Sequence, residues 1–324
     1  MRDSFINLLT RLAMADDRIM LLTADLGFKV FDEYIETLPR QFLNVGVAEQ
    51  NMTSVAAGMA LEGHIVFTYS IGLFPTIRCL EQILVDVCYH NLNVKIVSVG
   101  GGFSYGPLGP THHSLIDMAC LRALPGMTVV VPGDAWEVEQ AATAITYRDG
   151  PAYLRLDKTL PEPSHDPDER FVLGRARRCR DGEAATLVAS GGILGEVRAA
   201  ADQLERDGLR CRVLSMHTLV PLDTDELEAA SRETGGIITI EEHYVSGGLG
   251  GAVAEVCLES RFRPGFFYRI GVRGSAPAVV GSQEFLRRRC EMNRDAIANT
   301  VRQQIRVSNG LDSAGALRPL SSLV

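Results

Sequence analysis

Short apolar runs separated by longer stretches with a helical period organise most of the chain. MLLTA (20–24), HIVFTYS (64–70), VKIVSV (94–99), MTVVVP (127–132) and AYLRL (152–156) are apolar or β-branched at most positions. Between them, residues 48–62, 73–90, 114–124 and 134–148 carry apolar positions at helical spacing. Near-continuous apolar strands alternating with helices predict a parallel sheet covered on both faces. After Asp157 the texture changes to KTLPEPSHDPDER, whose three prolines and several charges read as an extended linker. A second alternation follows, with strands at AATLVAS (184–190), CRVLSM (211–216), GIITIEE (236–242) and FFYRIGV (266–272). Its helices are expected near 194–207, 224–233, 248–259 and 283–305. The closing SNGLDSAGALRPLSSLV has no periodicity and reads as a loose tail. The expected fold is α/β with two doubly wound domains: 1–158, then a linker at 159–182, then 183–308, with a flexible tail at 309–324.

Composition narrows the function classes. A chain of 324 residues exceeds what one hydrophobic core usually organises, which agrees with two domains. The formal net charge of -8, without clustered Lys and Arg, argues against nucleic acid as a partner. No apolar run approaches the roughly 20 residues that span a bilayer, and no apolar signal region follows Met1, so no membrane association is expected. The seven cysteines are widely spaced with no C-x-x-C pair, a pattern of reduced thiols in a cytoplasmic protein.

Three stretches could carry chemistry. In NVGVAEQNM (44–52), Glu49 is a charge at the start of a small-residue apolar helix. Taken alone, an acidic first-turn residue complements the helix dipole by roughly 0.3–1 kcal/mol and needs no function. The loop GGGFSYGPLGPTHHS (100–114) is rich in glycine and proline, holds His112 and His113, and follows directly on a strand, where doubly wound folds bind ligands. It matches neither a metal-ligand spacing nor a G-x-G-x-x-G or Walker pattern. In EEHYVSGGLGGAVAE (241–255), a strand runs through a glycine turn into a helix. Close helix packing suits this turn better than a phosphate cradle, because its paired carboxylates would repel an anion.

Taken in order, FLNVGVAEQNM, YSIGLFPTIRCLEQ, GPLGPTHHSLIDMACLRALPGMTVVVPGD, VLSMHTLVPLD and EEHYVSGGLGG resemble transketolase and its relatives, over roughly residues 3–305. That family uses thiamine diphosphate and has three domains. The first holds the diphosphate and its magnesium through a G-D-G motif, the second binds the aminopyrimidine ring, and the third is a smaller α/β domain. This sequence contains no G-D-G. The resemblance is therefore to the C-terminal part of a transketolase, the pyrimidine-binding domain followed by the C-terminal domain. It implies a second polypeptide supplying the Mg2+ ligands and the diphosphate site, as an N-terminal transketolase subunit in an α2β2 heterotetramer.

The resemblance also assigns residues. Glu49 falls on the glutamate that bonds the ring nitrogen of the aminopyrimidine, which lets the neighbouring imino group take the proton from C2 of the thiazolium. Phe74 lies beside a stacking aromatic, and Arg78 falls where deoxyxylulose phosphate synthases place an arginine against the pyrimidine. His112 matches a histidine that contacts the substrate near its reacting carbons. Lys158 sits where the family often has an arginine for the substrate phosphate; a lysine can meet phosphate only as a point charge. Two departures stand out. Leu108 replaces an aspartate that recognises an acceptor hydroxyl, and Gly100 replaces a histidine for donor phosphate. They weaken the case for ordinary pentose phosphates and point to a modified or unphosphorylated sugar. The implied activity is transfer of a two-carbon ketol unit from a ketose to an aldehyde. Three alternatives stand beside it: a 2-oxo acid dehydrogenase β subunit, an acyloin-forming enzyme similar to deoxyxylulose phosphate synthase, and a non-catalytic scaffold or regulatory partner.

Overall fold

The computed structural model describes residues 1–27, 29–158, 165, 168–275 and 277–310. The remaining positions of the expected linker, and tail positions 311–324, lie outside them. Among the described residues, twelve strands form two sheets. They are β1 (Ile19–Thr23), β2 (Phe42–Asn44), β3 (Ile65–Ile71), β4 (Val94–Val99), β5 (Thr128–Val130), β6 (Ala152–Leu156), β7 (Arg177–Arg180), β8 (Thr186–Ser190), β9 (Arg212–Ser215), β10 (Thr218–Val220), β11 (Ile237–Tyr244) and β12 (Phe267–Val272). The first sheet runs β10-β5-β6-β4-β3-β1-β2 and the second β12-β11-β8-β9-β7. Pairings are parallel except β10 with β5 and β7 with β9. The apolar runs take the central places: β1, β4, β6 and β8 are buried at every position.

The sheets are not independent. β10 leaves the second sheet after β9 and pairs with β5 in the first, Thr218 opposite Val130. One apolar cluster contains Val66, Val94 and Val129 of the first sheet together with Val188, Leu214 and Ile237 of the second. Three short strands fall outside the periodic reading: β2, β7 within the stretch expected as linker, and β10. Each has only three or four residues, too few to show a period.

Helices also differ from the simple pattern. The expected helix over 73–90 is a 3-10 turn (Ile77–Cys79), one short α segment (Leu80–Gln82) and a π-helix (Ile83–Cys88). The expected helix at 283–305 is two, Gln283–Arg289 and Arg294–Ser308, broken where Glu291 takes a φ of 56°. The segment at 114–124 is helical only over Asp117–Arg122.

Candidate active site

Glu49 opens the helix Glu49–Leu61 and is 4% exposed. The turn before it is built by Asn44, whose side-chain oxygen accepts the backbone N–H of Asp25 at 2.9 Å and of Gly46 at 3.0 Å. The carboxylate lies at the C-terminal ends of parallel strands, because Val45 follows β2 and donates to the Thr23 carbonyl of β1. Arg78, on the 3-10 turn after β3, donates from Nη1 to Glu49 Oε2 at 2.9 Å. Its own side chain is 48% exposed.

From Arg78 the contacts continue without a gap. The guanidinium carbon stands 4.5 Å from the Phe74 ring centroid. Phe74 meets the His112 ring edge-on at 5.4 Å, and Tyr105 lies 6.4 Å beyond His112. Lys158 Nζ sits 4.5 Å over the Tyr105 ring. The structure thus strings together the five residues to which the resemblance assigns site roles, Glu49, Arg78, Phe74, His112 and Lys158, the last through Tyr105. His112 ends the 3-10 turn Pro110–His112, and its Nδ1 is 3.0 Å from Thr111 Oγ1.

Tyr105 is not among the residues that the sequence singles out, yet it joins His112 to Lys158. It also explains Gly100. With φ at 99°, a Cβ there would lie 2.2 Å from two Tyr105 ring carbons. No histidine can stand at position 100 while Tyr105 holds this place. Leu108 is 56% exposed on the same loop. His113 points the other way, 4% exposed, against Phe103 at 5.0 Å, and burial lowers its pKa.

The arrangement fits the ring half of thiamine diphosphate. A buried carboxylate can exchange a hydrogen bond with a ring nitrogen, and Phe74 and Arg78 offer flat faces beside it. The glycine turn at 246–251 is filled by a carboxyl of this chain instead: Glu241 accepts from Leu249 N at 2.7 Å and Gly250 N at 2.8 Å at the start of the helix Leu249–Glu259. Burial, opposed by those two N–H groups, raises the Glu241 carboxyl to about 7.

Residues 1–163 match the family described as the transketolase pyrimidine binding domain, and residues 174–273 match the transketolase C-terminal domain. The chain belongs to the transketolase family. Among its relatives is a subunit of an apulose-4-phosphate transketolase from Phocaeicola vulgatus, 39% identical over 80% of this chain and 84% of that one. A 6-deoxy-6-sulfo-D-fructose transketolase subunit from Clostridium sp. strain MSTE9 is 35% identical over 94% of both. A solved split-gene transketolase, described as an inactive β4 tetramer, superposes with TM-score 0.84 at 32% identity, covering 95% of this chain and 98% of that one. Transketolase from Campylobacter jejuni shares the fold with TM-score 0.79 at 19% identity, and this chain accounts for 46% of it. The chain is the C-terminal subunit of a split transketolase-like enzyme, and these likenesses favour none of the alternatives left open by the sequence. Among the described residues, no helix is long and apolar enough to cross a membrane.

Proposed function

We propose that this subunit provides the pyrimidine-binding half of a thiamine diphosphate site and works only with a separate subunit that holds the diphosphate and Mg2+. Its reaction would be ketol transfer from a ketose to an aldehyde, in an α2β2 heterotetramer in the cytoplasm. The observation that carries the reading is the unbroken line from Glu49 through Arg78 and Phe74 to His112. The solved relative supports the need for a partner, since it is a β4 tetramer described as inactive. All seven cysteines are unpaired, which suits a reducing compartment.

When bound, thiamine diphosphate supplies the carbanion chemistry. Glu49 would hold a hydrogen bond with the ring nitrogen, its carboxylate shielded from water by burial. Arg78 keeps that carboxylate oriented, and Phe74 presents a ring face next to it. His112 stands 5.4 Å from Phe74, where an imidazole can exchange protons with a substrate hydroxyl. Tyr105 and Lys158 would meet the far end of the sugar. The two named relatives act on a sugar phosphate and a sulfo-sugar, both anionic at one end. Lys158 would offer the matching point charge, and Tyr105 over Gly100, together with Leu108, would disfavour an ordinary pentose phosphate.

The test is Glu49→Gln, assayed with the diphosphate-binding partner. Turnover should fall by at least about a hundredfold while the complex still assembles. Unchanged turnover would contradict the assignment.

A further inference from the structure

The loop that carries His112 is gripped from behind by the second domain. Its neck closes on itself, with Gly102 N donating to Ser114 O and Ser114 N to Gly102 O, both at 2.9 Å. Just inside the neck, the backbone N–H of Phe103 has a side-chain partner from the other domain: Glu242 Oε1, at the end of β11, accepts it at 2.5 Å. Glu242 is 2% exposed and is itself held by two further residues. Arg287 Nε donates to its Oε2 at 2.5 Å, and Gln283 Nε2 donates to its Oε1 at 2.9 Å. Gln283 also reaches the loop directly, at 3.3 Å from Ser104 Oγ.

The Glu242 side chain packs against Gly102 closely enough to leave no room for a Cβ there. Gly102 has φ at 60°, and a Cβ there would lie 2.5 Å from Glu242 Cγ. Farther along, Gly281 N approaches Gly106 O at 3.4 Å, and Leu115 O accepts Tyr244 N at 3.0 Å. The second domain therefore contacts the loop near both of its ends and in its middle. On the other side of the loop, the His112 ring meets the rings of Phe74 and Tyr105, both only half-buried.

We propose that Glu242, oriented by Arg287 and Gln283, is a positioning residue for the reaction: through the Phe103 amide it sets the conformation of residues 102–114 and so the place of His112. This assigns the C-terminal domain a part in the site without a side chain reaching the substrate. Its catalytic half rests on the reading of His112 given above; its structural half does not.

The test measures amide exchange by mass spectrometry on the full-length chain, together with kcat and KM in the complex. Glu242→Ala should speed exchange across 102–114 by about tenfold or more, above any smaller rise around Arg287 and β11, with β4 unchanged. In the complex it should lower kcat by about tenfold with little change in KM for thiamine diphosphate. Glu242→Gln keeps an acceptor for the Phe103 amide and should restore most of both. Should Glu242→Ala fail to fold, Gln283→Ala carries the same test with a smaller rise in loop exchange. Exchange in the loop within twofold of wild type would overturn the proposal, as would a rise spread evenly over the second domain. A loosened loop with unchanged kcat would overturn it too, provided Glu49→Gln still stops turnover. If Glu49→Gln is also without effect, the site reading fails along with it.

Discussion

The loop 100–114 touches two clusters that are built to different ends. Behind it, Arg155 lies 1% exposed, with Nε on Asp117 Oδ2 at 2.8 Å and Nη2 on the carbonyls of Ser114 and Glu242 at 2.8 and 3.0 Å. Tyr153 adds its hydroxyl to the same Asp117 oxygen at 2.5 Å. In front of it, Glu49, Arg78, Phe74, His112, Tyr105 and Lys158 touch one another in single file, and both cations are largely open to water. The first cluster finds its partners inside this chain and excludes solvent, so its charges serve the join between domains. The second, apart from the buried Glu49, offers one-sided contacts on half-buried or exposed groups, as expected of groups that complete their contacts with something from outside.

Asp117→Ala should break this contrast most severely. It takes the carboxylate from Arg155 Nε in the interior, leaving that guanidinium with the Ser114 and Glu242 carbonyls, and losing one partner of a buried pair costs about 3–5 kcal/mol. Urea unfolding reads this directly, and a loss under about 1 kcal/mol would erase the distinction between the clusters.

Glu241 gives a smaller, pH-dependent effect. Its ordinary value is 4.5 and burial lifts it to about 7. Between those values the folded state holds a proton that the unfolded state has released, so Glu241 makes stability fall as pH rises across that window. Wild type should therefore lose up to about 3 kcal/mol relative to Glu241→Gln between about pH 4.5 and pH 8. A difference that stays flat across this range would mean that the carboxyl is not raised. Asp157 sharpens the contrast: burial, opposed by Arg155 and assisted by Glu242, raises it to about 6, so it acts with the same sign.

The smallest stability change belongs to the open cluster. Lys158→Ala removes an exposed ammonium from the Tyr105 face and should alter unfolding by less than about 1 kcal/mol. For an anionic sugar its KM should nevertheless rise by roughly tenfold, equivalent to about 1.4 kcal/mol. An unchanged KM would remove Lys158 from the substrate's reach.

How much of this could be read from the sequence follows from distance along the chain. The central strands announce themselves because each is apolar over most of a run, as in VKIVSV and AYLRL. β10 does not, since a three-residue strand that crosses to another sheet has no local period. Glu49 and His112 lie in motifs that are legible within ten or so residues, and their family resemblance drew Phe74, Arg78 and Lys158 in with them. Tyr105 leaves no comparable signal, because its meaning depends on Gly100 lying beneath its ring. Glu242 and Gln283 are farther still: they meet the loop across 139 and 179 residues of chain, and only the fold brings them there. The break at residues 290–293 shows the same limit locally, as the helical period continues while the backbone turns aside at Glu291.

The most direct test of the central claim, that this chain holds only the pyrimidine half of a shared site, is calorimetric titration of thiamine diphosphate with Mg2+. It is run on this chain alone and on its mixture with a chain bearing the G-D-G motif. Binding is expected in the mixture only, abolished or strongly weakened by Glu49→Gln. Tight binding by this chain alone would contradict the claim.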